Sequence, residues 1–201
     1  TSMNTDVAVL FARRDSVYKS LAGCDVWDID RDAMTWTGGA PVVAHPPCRA
    51  WGRLRTFAKP REFERSTGPF AIDQVRAWGG VVEHPSHSSL WLYCGLPAPG
   101  HVDRFGGWTL PISQSWFGHR AEKATWIYIV GLTMADMPSM PIALGAASHV
   151  VNSSADLRKG MTGWRPEIRK DEREATPPQL AQWLVDLARL AAAGGCDVPA
   201  V

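Results

Sequence analysis

Two short segments of the sequence contain residue types that can carry out covalent chemistry. Cys48 follows two prolines in the sequence HPPC, and Glu83 begins the sequence EHP. A thiolate is a strong nucleophile toward an electron-poor ring carbon. A carboxylic acid that donates a hydrogen bond to a nitrogen of the same ring offsets the charge that develops there. Cys48 and Glu83 together therefore indicate nucleophilic attack on a nitrogen heterocycle.

Such a reaction requires an ionised thiol and a protonated acid. Glu83 lies in a partly apolar rim beside Val82 and Pro85, which predicts a raised pKa. Arg49 and a helix N-terminus beside Cys48 predict a lowered thiol pKa. The position of Cys48, after two prolines and before a basic segment, predicts an exposed and electropositive setting. The other cysteines are expected to be small, buried apolar residues: Cys24, Cys94 and Cys196.

The elements that must position these groups follow from apolar runs rich in β-formers. Such runs predict strands over 7–11, 25–29, 41–45, 81–83 and 125–130, the last of them a buried central strand. Helical patterns are predicted up to about residue 21, around Phe70, Val75 and Trp78 as far as Gly79-Gly80, and after Thr176-Pro177. Residues 132–175 are predicted to be irregular. The apolar face of the last helix comprises Leu180, Trp183, Leu184, Leu187 and Ala191.

Alternation of strands and helices predicts one α/β domain over about residues 3–195, with a mostly parallel sheet and helices on both faces. Ligands of such sheets bind beyond the carboxyl ends of the strands. Cys48 follows the strand over 41–45 and Glu83 ends the strand over 81–83. A right-handed crossover through the intervening helix would bring both residues to the same rim of the sheet.

Composition excludes several classes of protein. The 201 residues are 45% hydrophobic and 20% charged, which is typical of a globular domain rather than a disordered or fibrous chain. Four cysteines without a CxxC pair indicate neither a zinc ribbon nor a disulfide framework, so a reducing, cytoplasmic setting is expected. The sequence contains no run of about 18 apolar residues and no signal segment, which argues against a membrane partner.

Three segments resemble the DNA (cytosine-5) methyltransferase family. They are AHPPC at 44–48, VEHP at 82–85, and QSWFGHRAEK at 114–123, which leads into TWIYIVG. The corresponding family motifs are Pro-Pro-Cys, Glu-Asn-Val or Glu-Asn-Pro, and Gln-x-Arg-x-Arg followed by a hydrophobic strand. The chain is most similar to short methyltransferase-like proteins of phages and prophages. The resemblance covers about residues 6–131.

The resemblance implies a Rossmann-like fold, S-adenosylmethionine as cofactor, DNA or a pyrimidine nucleotide as partner, and a cytoplasmic location in a bacterial host. Cys48 would attack C6 of the base, Glu83 would be the acid at the ring nitrogen, and Arg120 or Lys123 would support the flipped base or its phosphate. Phe11 and either Asp28 or Asp30 would contact the cofactor. Further substrate contacts would come from Pro46, Pro47, His84 and Gln114.

The sequence also departs from the family. Its opening turn, FARRDS at 11–16, lacks the glycines of the family's Phe-x-Gly-x-Gly turn, and His84 stands where the family has Asn. No region is long enough for the family's large target-recognition domain. These departures favour two alternatives. One is a pyrimidine-modifying enzyme with another donor or a free nucleotide substrate, and the other is an inactive relative that binds nucleic acid.

A basic segment follows Cys48 directly. Trp51 and Phe57 are interleaved with its basic residues, a combination that suits phosphates and stacked bases. A mobile loop here could carry the nucleophile over a flipped base. Three histidines fall within the motifs (His45, His84 and His119), but without HxH or HxxxH spacing no metal site is predicted. The basic residues of the segment are Arg49, Arg53, Arg55, Lys59, Arg61 and Arg65.

Overall fold

The strands of the protein form one sheet. A computed structural model describes residues 6–52, 55–153 and 156–193. Within these residues the sheet has six strands: β1 (Val7–Leu10), β2 (Cys24–Trp27), β3 (Val42–Ala44), β4 (Gly80–Pro85), β5 (Trp108–Ser113) and β6 (Ala124–Val130).

The strand order is β2-β1-β3-β4-β6-β5, and the first four strands in this order are parallel. β6 is antiparallel to both of its neighbours. The chain leaves β1 to one side to form β2 and then returns to the other side to form β3. The carboxyl ends of β1 and β3 therefore flank the switch point at which open α/β sheets form a ligand crevice.

Helices cover both faces of the sheet. α1 (Glu64–Trp78) packs through Ala71, Ile72 and Val75 on one face, together with the short helix α2 (Ser89–Tyr93). α4 (Pro178–Ala193) packs on the other face through Leu180 and Leu184. The predicted single α/β domain with a mostly parallel sheet is thereby confirmed.

β3 and β4 approach closely at Gly80. This residue has φ +120°, and a Cβ built on it would lie 2.0 Å from the carbonyl oxygen of Val42. Only glycine tolerates both the conformation and the contact. The Gly79-Gly80 pair thus does more than end α1, because it also lets the strand that carries Glu83 pair with β3.

Some elements differ from the prediction. The helix expected up to residue 21 is only a 3₁₀ turn, Val17–Ser20. β5 and α2 were not predicted, and β5 contains Pro111, which is tolerated because the strand lies at the sheet edge. The predicted central strand β6 lies between β4 and β5. Within the described part of residues 132–175, the chain is irregular except for a 3₁₀ turn (Met134–Asp136) and α3 (Lys170–Glu174).

The described helices include none with the length and apolar character needed to span a membrane.

Candidate active site

A cavity of about 460 Å³ lies beyond the carboxyl ends of β1, β3 and β4. Its inner walls are residues 11–18 after β1, residues 45–49 after β3, and residues 83–85 at the end of β4. Lys123 and the distant residues 173–176 close the outer side. The crossover from β3 through α1 to β4 brings Cys48 and Glu83 to this one cavity, as the sequence predicted.

Cys48 lies on an anchored turn. Its carbonyl oxygen accepts hydrogen bonds from the amides of Trp51 at 3.0 Å and Gly52 at 2.7 Å. The Trp51 side chain is buried, and its carbonyl accepts hydrogen bonds from the amide and hydroxyl of Ser89 in α2. Cys48, the predicted nucleophile, therefore lies on a turn that is tied to the core through Trp51.

The carboxylate of Glu83 is fixed from two sides. Oε2 accepts a hydrogen bond from Nδ1 of His45 at 2.9 Å, and Oε1 accepts one from Nε2 of Gln114 at 3.0 Å. The same amide nitrogen of Gln114 donates to the hydroxyl of Thr125 at 3.1 Å. Gln114, predicted to bind substrate, thus acts on the site by orienting Glu83.

These contacts reverse the predicted pKa of Glu83. Burial alone would raise the pKa of the carboxyl group, but the hydrogen bond from His45 and the positive charge of Lys123 lower it to about 2. Glu83 is therefore a carboxylate at neutral pH. The prediction from its apolar neighbours was wrong because it ignored the donors that the fold supplies.

The predicted pKa of Cys48 is likewise wrong. Desolvation beside the cavity raises the pKa of the thiol, the negative charge of Glu83 raises it further, and Lys123 opposes both. Arg49 does not help, because its guanidinium pairs with the buried carboxylate of Glu64. Nor does a helix begin at Cys48, since α1 starts only at Glu64.

Lys123 is the cation that faces both reactive groups. It is half-buried, lines the cavity, and makes no ion pair within 4.0 Å in the described part of the chain. Its charge favours the ionised forms of Cys48 and Glu83 alike. This predicted substrate-binding residue is therefore brought to the site with its charge available.

His84, predicted to contact the substrate, is among the residues that line the cavity, but its side chain is almost fully buried. Its ring centroid is 6.4 Å from that of Trp91, and neither ring nitrogen makes a hydrogen bond to a described residue. Burial lowers the pKa of the imidazole to about 4. The charge of Glu83 and the backbone of Pro46 and Pro47 act in the opposite direction and raise this pKa, but by less. The ring is thus neutral and lies beside the Pro-Pro turn that leads to Cys48.

The structure does not bring Arg120 to the cavity. Its guanidinium makes a bidentate pair with Glu172 in α3, with nitrogen to oxygen distances of 2.6 Å, and approaches His149 at 3.5 Å. Arg55 is also outside the cavity lining and donates to the carbonyl of Gly52 at 3.4 Å. Arg53 lies outside the described residues.

None of the residues of α3 is buried, and polar contacts attach it to the described part of the chain. Besides the Arg120 pair, Arg13 donates to the carbonyl of Asp171 at 2.9 Å. Nε2 of His119 lies 3.2 Å from the carbonyl of Glu172. The sequence segment FGHR therefore contributes to the site indirectly, because it fastens the helix that continues into the outer wall.

The residues predicted for the cofactor do not fit S-adenosylmethionine as the family resemblance implied. Phe11, in the left-handed region with φ 60°, lines the cavity where a glycine would let a ligand approach the backbone. Asp28 is buried and accepts hydrogen bonds from Lys19 at 2.7 Å and from the amide of Asp30 at 3.0 Å. Asp30 pairs with Arg14 at 2.7 Å. Both carboxylates therefore already have partners within the protein.

A metal site is not formed by the described residues, which contain no group of three His, Cys, Asp or Glu side chains suitably arranged. The three motif histidines have separate surroundings. His45 contacts Glu83, His84 has no hydrogen-bond partner in the described chain, and His119 contacts the carbonyl of Ala121.

Sequence reasoning missed Tyr18. Its ring is buried, it lines the cavity, and its hydroxyl lies 2.8 Å from Nε2 of His45. The only signal for it was a single aromatic residue in the polar stretch after β1. The outer wall formed by Arg173 to Thr176 was also missed, because nothing in their sequence spacing relates them to Cys48.

Comparisons with protein-family models, with curated proteins and with solved structures find no match to this chain.

Proposed function

We propose that this protein is a pyrimidine C5-modifying enzyme in which Cys48 adds to C6 of the base and Glu83 carries a proton to N3. One observation carries the proposal: Cys48 and Glu83 face the same cavity, and the charge of Lys123 acts on both. The crevice position at a switch point of the sheet supports a Rossmann-like interpretation, related to the DNA (cytosine-5) methyltransferases.

The protonation states of the two groups define the first step. At neutral pH Cys48 is a thiol and Glu83 a carboxylate. The S–H proton passes to Glu83 and from there to N3 of cytosine, while the sulfur lone pair forms the S–C6 bond. The π pair of C5=C6 shifts to C4–C5, and the π pair of N3=C4 forms the N3–H bond. The product is an enamine that is nucleophilic at C5.

Lys123 lowers the barrier to this step. Negative charge moves from the carboxylate to the sulfur as the proton is transferred, and the ammonium group favours both anionic forms. The ammonium group of Lys123 therefore stabilises the negative charge both before and after the proton is transferred. In the free enzyme the proton stays on sulfur. The thiol is therefore unreactive until a pyrimidine binds and its N3 can accept the proton.

The basic segment that follows Cys48 favours a base that is part of a nucleic acid strand. Phe57 and Phe63 are 86% and 73% exposed within the basic segment. Trp51 lies on the turn that holds Cys48, and the Arg65 guanidinium is 4.9 Å from the centroid of its ring. Basic residues interleaved with exposed aromatic rings bind single strands through phosphates and stacking. The competing substrate is a free pyrimidine nucleotide.

The residues after β1 and β2 do not fit S-adenosylmethionine, which favours a different donor of the group that is transferred to C5. Thermal unfolding in the presence of S-adenosylmethionine or S-adenosylhomocysteine distinguishes a methyltransferase from an enzyme that uses another donor. Stabilisation by both ligands supports a methyltransferase, and no shift with either supports a different donor.

A donor-independent experiment tests the covalent step. Formation of the enamine lets C5 take a deuteron from D₂O and then lose its original hydrogen, so the enzyme should exchange H5 of cytosine without any donor. We expect exchange with a short single-stranded oligonucleotide or with dCMP. Cys48→Ala should lose at least about a hundredfold in rate, since nothing replaces the nucleophile.

The matched control is Cys94→Ala, which removes a thiol that does not line the cavity. This variant should exchange H5 at the wild-type rate. Glu83→Gln should lose about 10² to 10⁴-fold, the usual contribution of a positioned acid or base. If the wild-type protein exchanges H5 in neither substrate, the proposal is wrong and a non-enzymatic nucleic-acid-binding role is favoured.

A further inference from the structure

A line of partly buried hydrogen bonds runs along the cavity wall from Glu83 through His45 to Tyr18. Nδ1 of His45 lies 2.9 Å from Oε2 of Glu83, and Nε2 of the same ring lies 2.8 Å from the hydroxyl of Tyr18. The two rings are tilted by 45° with centroids 5.3 Å apart. Tyr18 is 1% exposed and packs in the core, so the line ends at a buried ring in the cavity wall.

The carboxylate determines how the hydrogens on this line are arranged. Because Glu83 is ionised, Nδ1 of His45 must carry the hydrogen between them. In a neutral ring Nε2 then accepts a hydrogen bond from the Tyr18 hydroxyl, and in a charged ring Nε2 donates to the Tyr18 oxygen. A tyrosine hydroxyl can do either, so the line is satisfied in both charge states of the imidazole.

We propose that His45, anchored by Tyr18, is the positioning residue of Glu83 and holds its carboxylate in one orientation and in its charged form, ready to accept the proton of the reaction. The inference rests on the proposed function for the reaction that it serves. The positioning itself is a property of the fold, and it can be measured without catalysis.

Other groups around Glu83 cannot take over this role. Gln114 donates to Oε1 but does not titrate, and Lys123 acts through its charge without a hydrogen bond. His84, on the same strand, is neutral and makes no hydrogen bond to a described residue. The Cys48 thiol faces the carboxylate across the cavity. His45 is thus the titratable group with a direct hydrogen bond to Glu83 in the described chain.

Titration of the Glu83 carboxyl carbon by ¹³C NMR tests the proposal directly. In His45→Phe the pKa of Glu83 should rise from about 2 toward its ordinary value of about 4.5, because the ring remains and the donor is lost. His45→Gln, which keeps an N–H donor, should reverse part of this rise. Tyr18→Phe removes a single hydroxyl, should fold, and should raise the pKa less than His45→Phe.

The matched control is Tyr128→Phe, because the Tyr128 hydroxyl donates to Asp103, outside the cavity lining. It should leave the pKa of Glu83 unchanged even if stability falls. The proposal is overturned if the pKa of Glu83 is unchanged in both Tyr18→Phe and His45→Phe. If His45→Phe does not fold, an unchanged pKa in Tyr18→Phe alone overturns it.

The H5 exchange assay separates this inference from the proposed function. If both hold, the acid limb of the pH–rate profile should move upward in His45→Phe together with the pKa of Glu83. A rise in the pKa without H5 exchange by the wild-type protein would support the positioning role and overturn the proposed enzyme activity.

Discussion

Glu83 and His84 are neighbours on β4 that face opposite sides of the sheet, as successive strand residues do. Glu83 meets His45 and Gln114, whereas His84 packs near Trp91. Both residues have a lowered pKa, but for different reasons. Partners stabilise the charged form of Glu83, and burial disfavours the charged form of His84.

The two shifts predict loss of stability in acid in two stages. His84 titrates near 6.5 when unfolded and about 4 when folded, so protons favour the unfolded chain as pH falls from 6.5 to 4. Glu83 titrates near 4.5 when unfolded and about 2 when folded, so its contribution is complete above 4.5 and is lost toward pH 2. Each stage should cost at most about 3 kcal/mol.

Urea unfolding of variants across pH 2.5 to 8 checks this prediction. His84→Phe should abolish the stage between 6.5 and 4. It should match or exceed wild-type stability at pH 7, because the imidazole nitrogens have no hydrogen bonds to described residues to lose. Glu83→Gln should abolish the lower stage only. The prediction is contradicted if His84→Phe keeps the wild-type slope above pH 4.

Which site residues could be predicted depended on their place in the chain. Cys48 and Glu83 were predictable because they follow strands whose carboxyl ends meet at one edge of the sheet. The partners of Glu83 could not be predicted in the same way. Tyr18 reaches His45 through tertiary packing that no local pattern encodes, and the pKa of a buried carboxyl group depends on such partners more than on its neighbours in sequence.

At the scale of elements, the pairing of β3 with β4 depends on Gly80. Gly80→Ala should lower the free energy of unfolding by about 3 kcal/mol or more, because the Cβ would lie 2.0 Å from the carbonyl oxygen of Val42. The strands would have to separate, which would also displace Glu83. H5 exchange should therefore fall with stability.

Gly100→Ala is the matched control for this change. Gly100 also has a positive φ, of +89°, but a Cβ there has no heavy atom within 4 Å. Its replacement should cost only the conformational strain, about 1 to 2 kcal/mol. Equal losses in the two variants, measured by urea unfolding, would show that the contact with Val42 is unimportant.

The elements themselves were predictable where the apolar pattern was strong. β1, β3, β6 and the buried face of α4 follow from runs or periodic spacing of apolar residues. β5 was not, because Pro111 interrupts its pattern and only its edge position makes that residue acceptable. The strand order and the antiparallel direction of β6 depend on long-range pairing, which local patterns do not specify.

At the scale of the whole molecule, a net charge of +1 conceals an uneven distribution. Lys59 and Arg61 are exposed on the basic segment that follows Cys48. The double variant Lys59→Glu/Arg61→Glu should weaken binding of a single-stranded oligonucleotide at least tenfold at low salt. It should also reduce the slope of log affinity against log salt by about 1.4, or about 0.7 for each lost phosphate contact.

Fluorescence anisotropy at several salt concentrations measures both quantities. The control is Arg158→Glu/Lys159→Glu, which makes the same change in net charge at two exposed positions outside the cavity lining. This control should bind nearly as the wild type does. Equal weakening by the two double variants would attribute binding to overall charge and not to the basic segment.

The attachment of α3 gives the two sides of the cavity different physical characters. Its inner side belongs to the sheet, whose β1, β3 and β4 residues are buried in the core. Its outer wall includes the end of α3, which has no buried residue. On either side of this segment the chain is anchored in the core by Ile168 and Leu180. Displacing α3 would expose almost no apolar surface, so its cost would be hydrogen bonds and ion pairs exchanged for water. Added salt should therefore weaken the attachment of the outer wall, because salt screens ion pairs. The inner side is stabilised by the hydrophobic effect.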